Sequence, residues 1–201
     1  MNRLETNIYC ARKTILEMMK DRGYNISKHI KDIPFELFIE TIADDNLEIL
    51  FEKDDKSKLV VYFFTEIKSI SKKNFKSICD KLISKYEDDN LNIILIFPSK
   101  PSSSIKKEIV NTPKYFNIQL YELKHLIINI TKHKLQPKFR VLTDDNIKEI
   151  CSSLSIPKEQ FPKILTTDPI SRYYGVKRGQ VFEIKRKSMS SGEFVTYRIV
   201  V

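Results

Sequence analysis

Residues 58–98 read KLVVYFFTEIKSISKKNFKSICDKLISKYEDDNLNIILIFP, and their texture changes twice. Lys58–Thr65 carries a nearly unbroken apolar run (LVVYFF), as a strand buried on both faces requires. Ser71–Tyr86 switches period. Phe75, Ile78, Cys79, Leu82, Ile83 and Tyr86 recur at i, i+3, i+4, i+7, i+8 and i+11, the single stripe of an amphipathic helix. Leu91–Phe97 is again continuously apolar. Strand, helix and strand in this order predict an α/β layer architecture with a mostly parallel or mixed sheet.

Upstream, Leu47–Lys53 and Lys58–Thr65 flank Asp54-Asp55-Lys56-Ser57 and read as a hairpin feeding that sheet. Residues 3–22 place Leu4, Ile8, Ala11, Ile15 and Met18/Met19 on one helical face, and Gly23 supplies a left-handed stop. A second helix is predicted from Pro34, with Phe35, Phe38, Ile39 and Ile42. Downstream, a Pro/Ser loop (Pro98–Ser103) precedes a short capped helix over about Ser104–Asn111, and Ile118–Tyr121 is a further strand. After Ile130 the texture changes. His133–Lys138 (HKLQPK) reads as a linker, which divides the chain into domains 1–132 and 133–201. In the second domain Thr143–Leu154 is a capped helix with Asp144 and Asp145 in its first turn. Asp168-Pro169 opens another helix that Gly175 stops. Gln180–Lys187 and Glu193–Val201 form two strands. The four glycines are Gly23, Gly175, Gly179 and Gly192, and the last three fall within 27 residues of the end. They mark a tight-turned α+β module.

The net charge is +9 and the pI about 9.3, which favours anionic partners, nucleic acid first. Residues 131–201 hold 14 Lys+Arg against 7 Asp+Glu, so this third carries about +7 and the remainder about +2. Cys10, Cys79 and Cys151 are odd in number and widely spaced, which argues against a disulfide framework or a thiolate metal site and for a reducing compartment. The start, MNRLETNIYCARK, has no apolar core of a secretory signal, and no apolar run approaches the ~20 residues of a membrane span. No membrane partner, cofactor or metal is expected.

Catalytic signatures are sparse. His29, His125 and His133 stand without a GxSxG or Cys/His partner motif, and four glycines supply no phosphate loop. One arrangement resembles a restriction-endonuclease site. Glu66-Ile67-Lys68 follows the strand at Val60–Thr65, with Asp54 or Asp55 one hairpin upstream. Two carboxylates would hold Mg²⁺ and the lysine would stabilise the attacking water. The motif is short, and Asp is expected in a turn on other grounds.

Two basic segments suit binding. Lys100-Pro101-Ser102-Ser103-Ser104-Ile105-Lys106-Lys107 combines hydroxyls, lysines and a helix start, all suited to phosphate. The C-terminal run 168–181 interleaves Arg172, Tyr173, Tyr174, Lys177 and Arg178 between tight turns. Such a surface fits nucleic acid or protein docking equally well. A free-standing basic nucleic-acid-binding module is therefore an alternative reading.

The string DPISRYYGVKRGQVFEIKRKSMSSGEFVTYRIV (168–200) resembles the end of the fifth subunit shared by eukaryotic RNA polymerases, whose archaeal counterpart keeps only this C-terminal domain. Asp168, Pro169, Arg172, Tyr173, Gly175, Lys177, Arg178, Gly179, Val181, Ile184, Arg186, Ser188, Gly192, Tyr197 and Arg198 fill the family's positions. Asn129-Ile130-Thr131 with His133, Leu135 and Pro137 is similar to its interdomain junction, and Gln160–Ile164 to its QLPxI. Arg12-Lys13-Thr14 and Asp21-Arg22-Gly23-Tyr24 are similar to its first-helix motif. Met189 departs from the usual acidic residue after Ser188, and Lys100 from a usual neutral one.

The resemblance implies a restriction-endonuclease-like α/β N-terminal domain, a mixed sheet with flanking helices and no nuclease activity. This domain would form part of the lower jaw at downstream duplex DNA, with Lys100, Pro101, Ser102, Ser103, Lys106 and Lys107 as the contact. It also implies a small α+β C-terminal assembly domain that docks on the largest polymerase subunit. Asp168, Pro169, Arg172, Tyr173, Gly175, Lys177, Arg178, Gly179, Tyr197 and Arg198 would form the docking face. Neighbouring polymerase subunits are further expected partners, and homo-oligomerisation is not expected. The Lys, Ile and Asn enrichment of AT-rich genomes is compatible with a large DNA virus. The expected location is the nucleus for a cellular protein, and the virion or a cytoplasmic virus factory for a viral one.

Overall fold

A computed structural model of the chain describes residues 3–27, 35, 48–64, 70–86, 91–112, 117–188 and 192–201. The chain divides into two compact units, Met1–Ile128 and Asn129–Val201. Asn129–Lys132, expected in the first domain, belongs to the second. There the Asn129 side chain bonds to Tyr173, and Ile130 packs against the core around Phe182.

The N-terminal unit is built on strands β1 (Glu48–Glu52), β2 (Lys58–Phe63), β3 (Asn92–Phe97) and β4 (Ile118–Glu122), in that spatial order. β1 runs antiparallel to β2, while β2, β3 and β4 are mutually parallel, so the sheet is mixed. The parallel strands are joined through α2 (Lys72–Tyr86) and α3 (Ser103–Asn111). Phe75, Cys79 and Leu82 of α2 and Ile105 of α3 share one core cluster with Val60, Ile93, Leu95 and Phe97. Both helices therefore cover the same sheet face, as right-handed crossovers between consecutive neighbours dictate. Ile94 and Ile96 point the other way and are equally buried. That face also carries Gln119 and Tyr121, the register partners of Ile94 and Ile96. The end of α1 (Arg3–Asp21) reaches it: Arg22 donates to the Gln119 side chain at 3.2 Å and the Tyr121 hydroxyl at 3.3 Å. α1 buries Ile8, Ala11, Ile15, Met18 and Met19 of the stripe read from sequence, while Leu4 is only half-buried, and Gly23 ends the helix at φ +80°. The helix predicted from Pro34 lies outside the described residues except for Phe35, whose ring meets Tyr9 edge-on at 5.4 Å.

The C-terminal unit pairs strands in the order β5 (Lys138–Val141), β7 (Val181–Ser188), β8 (Gly192–Val200), β6 (Lys163–Ile164). β7 lies between two small cores. Val181 and Ile199 pack with Leu142, Ile147 and Phe161 on the side of α4 (Asp144–Leu154). Phe182, Ile184 and Val200 pack with Ile170 on the side of α5 (Pro169–Tyr174). The helix starts follow their sequence signals. Thr143 accepts from the Asn146 amide at 3.4 Å, and Asp168 accepts from the Ile170 amide at 2.9 Å with Pro169 at the first position. β5 and β6 have no counterpart in the sequence reading, and β5 begins inside the stretch that reads as linker. With four and two residues they carry too little local pattern, and pairing with β7 and β8 creates them. Among the described residues no helix is long and apolar enough to cross a membrane.

Candidate functional site

The Lys100–Lys107 segment leaves the carboxyl end of β3 and enters α3. Because β2, β3 and β4 are parallel, α2 and α3 both begin at this edge of the sheet, where ligands of open α/β folds are usually held. Lys100, Ser102, Ser103, Lys106 and Lys107 are exposed. Pro101, expected among the DNA-contacting residues, is buried. Ser102 occupies the N-cap position, but its hydroxyl meets that of Ser104 at 2.8 Å and does not cap the helix.

The residue that fixes α3 was missed from sequence. Glu108 stands three positions after the buried Ile105, on the face turned to the core, and is only 7% exposed. Its two oxygens are held by Lys72 at 2.7 Å and Lys76 at 2.6 Å, both from α2. Hydrogen bonds from Lys72 and then Lys76 pull its carboxyl down to about 2, against the opposing effect of burial. The available signal was an acidic residue on the apolar stripe of a short helix, which demands a cationic partner.

In the C-terminal unit the docking candidates separate by burial. Asp168, Pro169 and Gly175 shape α5: cap, first-turn proline and left-handed stop at φ +65°. Tyr173 is 3% exposed, with its ring against Tyr174 and its hydroxyl receiving a bond from the Asn129 amide at 3.2 Å. The Asn129 carbonyl oxygen accepts from the Thr131 amide and hydroxyl, which fixes the side-chain orientation. This corrects the expectation of Tyr173 as a surface anchor: the ring is core. Arg172, Tyr197 and Arg198 are half-buried, and Tyr197 leans on Phe161 at 5.6 Å. Lys177, Arg178 and Gly179 are exposed in one tight turn. The Gly179 amide donates to the Val200 carbonyl at 2.9 Å with φ +87°, a conformation suited to glycine.

The endonuclease arrangement gains no support. Glu66 and Lys68 lie outside the described residues. Asp55 accepts from the Ser57 amide at 2.9 Å within the hairpin turn. Among the described residues no group of three His, Cys, Asp or Glu side chains suits a metal.

Residues 2–82 match the family RNA polymerase Rpb5, N-terminal domain, and residues 128–200 match RNA polymerase Rpb5, C-terminal domain. The chain is 34% identical to subunit RPABC1 of DNA-directed RNA polymerases I, II, and III from Caenorhabditis briggsae, across 98% of both chains. It is 32% identical to the DNA-directed RNA polymerase subunit 5-like protein 1 of Arabidopsis thaliana, across 98% of this chain and 96% of the relative. Identity to the Dictyostelium discoideum subunit rpabc1 is 31%, across 94% and 95%. Likeness along both units defines the class, a non-catalytic subunit of a multisubunit DNA-directed RNA polymerase. Within that class the chain belongs to the Rpb5 family, the fifth subunit of eukaryotic-type enzymes. The nuclease reading is thereby set aside.

Proposed function

We propose that the C-terminal unit docks this subunit on the largest polymerase subunit, and that the N-terminal unit forms part of the lower jaw at downstream duplex DNA. The restriction-endonuclease-like fold of the jaw and a nuclear location for a cellular protein belong to the same reading. One observation carries it. The C-terminal unit holds about +7 of the net charge, and its exposed Lys177-Arg178 turn is fixed to the sheet end by the Gly179–Val200 bond. A rigid basic turn beside the half-buried Arg172 and Arg198 suits a protein interface, where arginine is a common anchor.

Co-expression with the largest polymerase subunit tests the docking half. The wild-type chain should co-purify, and Lys177→Ala/Arg178→Ala, at two exposed positions, should reduce the yield at least tenfold without lowering the unfolding temperature. Normal assembly of that double variant would reject the face. The jaw half predicts weak, salt-sensitive DNA binding. Lys100, Lys106 and Lys107 alone give a log–log salt slope of about −2 to −3, or a roughly 16- to 60-fold affinity loss for a fourfold rise in salt.

A further inference from the structure

The Lys72–Glu108–Lys76 clasp does more than join two helices. A single carboxylate balances one cation, yet Glu108 holds two. The carboxylate is buried, whereas the two lysine side chains remain 54% and 46% exposed. Surplus positive charge is thus fixed at the solvent boundary between α2 and α3. Glu108 follows Lys106 and Lys107 directly, and Lys72 is the first residue of α2. Both helices start at the carboxyl edge of the parallel strands, and Lys100 leaves β3 at the same edge. β4 ends there too, with Glu122 bonded to Lys124 at 2.7 Å. Among the described residues, counting Lys72, Lys73, Lys76, Lys100, Lys106, Lys107 and Lys124 against Glu108 and Glu122 leaves about +5 on this edge. The N-terminal unit as a whole carries about +2. The positive charge of a nearly neutral unit is concentrated where both helices begin.

Two of these lysines also sit where they cost helix stability. Lys72 and Lys106 lie in first turns, which the helix dipole leaves positive, and neither first turn contains an acidic residue.

We propose that Lys72 and Lys76, oriented by Glu108, form a second row of contacts to the phosphodiester backbone of duplex DNA, beside the Lys100–Lys107 loop. This rests on the jaw reading and extends it from one loop to the whole sheet edge. Glu108 is a positioning residue: it holds the ammonium groups in place and touches no phosphate. The lysines act as point charges, without base-specific geometry, so the contact is independent of sequence.

The salt dependence of binding distinguishes one row from two. The three loop lysines and the one uncompensated charge of the clasp give a slope of about −3 to −4, or a roughly 60- to 250-fold affinity loss between 50 and 200 mM salt. The full chain is titrated into a fluorescent duplex, with anisotropy as the readout. Lys72→Gln/Lys76→Gln/Glu108→Gln removes both ammonium charges without stranding a buried carboxylate. It should reduce the loss to about 16- to 60-fold, the value for three contacts. Lys106→Ala/Lys107→Ala should also flatten the slope.

If the glutamine variant keeps the wild-type slope while Lys106→Ala/Lys107→Ala flattens it, the second row is wrong and the loop contact stands. Wild-type binding that is absent or independent of salt overturns both. Acetylation footprinting of the wild-type chain gives the same decision without a variant. DNA should protect Lys72 and Lys76 together with Lys106, and unchanged labelling of Lys72 and Lys76 overturns the proposal.

Discussion

Replacing Tyr173 separates folding from docking in the C-terminal unit. The side chain is 3% exposed, and its hydroxyl receives the Asn129 amide bond. Tyr173→Phe removes that acceptor and keeps the ring. Losing one buried hydrogen bond and leaving the amide short of a partner should cost about 1–2 kcal/mol. Tyr173→Ala also empties the space of a buried aromatic ring and should cost about 3–5 kcal/mol. For a unit the size of residues 129–201, each kcal/mol lowers the unfolding midpoint by about 4–8 °C. Thermal unfolding of the full chain, followed by circular dichroism, should therefore place the Phe variant about 4–16 °C below wild type for this unit, and the Ala variant lower still. At 10 °C, where the Phe variant remains folded, capture of the largest polymerase subunit should match wild type. If Tyr173→Phe unfolds at the wild-type temperature yet loses the partner more than tenfold, Tyr173 is an interface anchor and the reading of it as core fails.

Two further outcomes concern buried groups of the N-terminal unit. Glu108 has its folded pKa drawn from 4.5 to about 2, so the clasp stabilises fully above pH 4.5 and its contribution fades as pH falls toward 2. Glu108→Gln should flatten the acid-unfolding limb across that window; the chain has no tryptophan, so circular dichroism is the readout. The Cys79 thiol is pushed up to about 12, first by burial and then by Asp80. Iodoacetamide at pH 8 should alkylate only Cys10 and Cys151 in the folded chain and all three cysteines after denaturation, as mass spectrometry would count. Labelling of Cys79 at the rate of the other two would contradict its burial.

Elements with a strong local period were legible. The stripes of α1 and α2, the apolar runs of β2 and β3, and the Asp168-Pro169…Gly175 signals each encode their own conformation over a few turns or residues. β5 and β6 were not legible, because two to four edge residues become strands only by pairing with β7 and β8. The candidate site divides in the same way. Lys106 and Lys107 stand out as a basic pair in sequence. Glu108 beside them looks like one more surface acid until α2 supplies Lys72 and Lys76 from more than thirty residues away.

The sequence by itself determined the α/β character, the two-part organisation and the C-terminal string that marks the Rpb5 family. Helical and strand periods, caps and glycine stops are local, and motif residues keep their spacing along the chain. Only the tertiary structure decided which of those motif residues face solvent. It buried Tyr173 and Pro101, exposed Lys177 and Arg178, and brought Lys72, Lys76 and Glu108 together at one sheet edge. Burial and charge pairing depend on which elements become neighbours, and parallel pairing of β2, β3 and β4 sets that for α2 and α3.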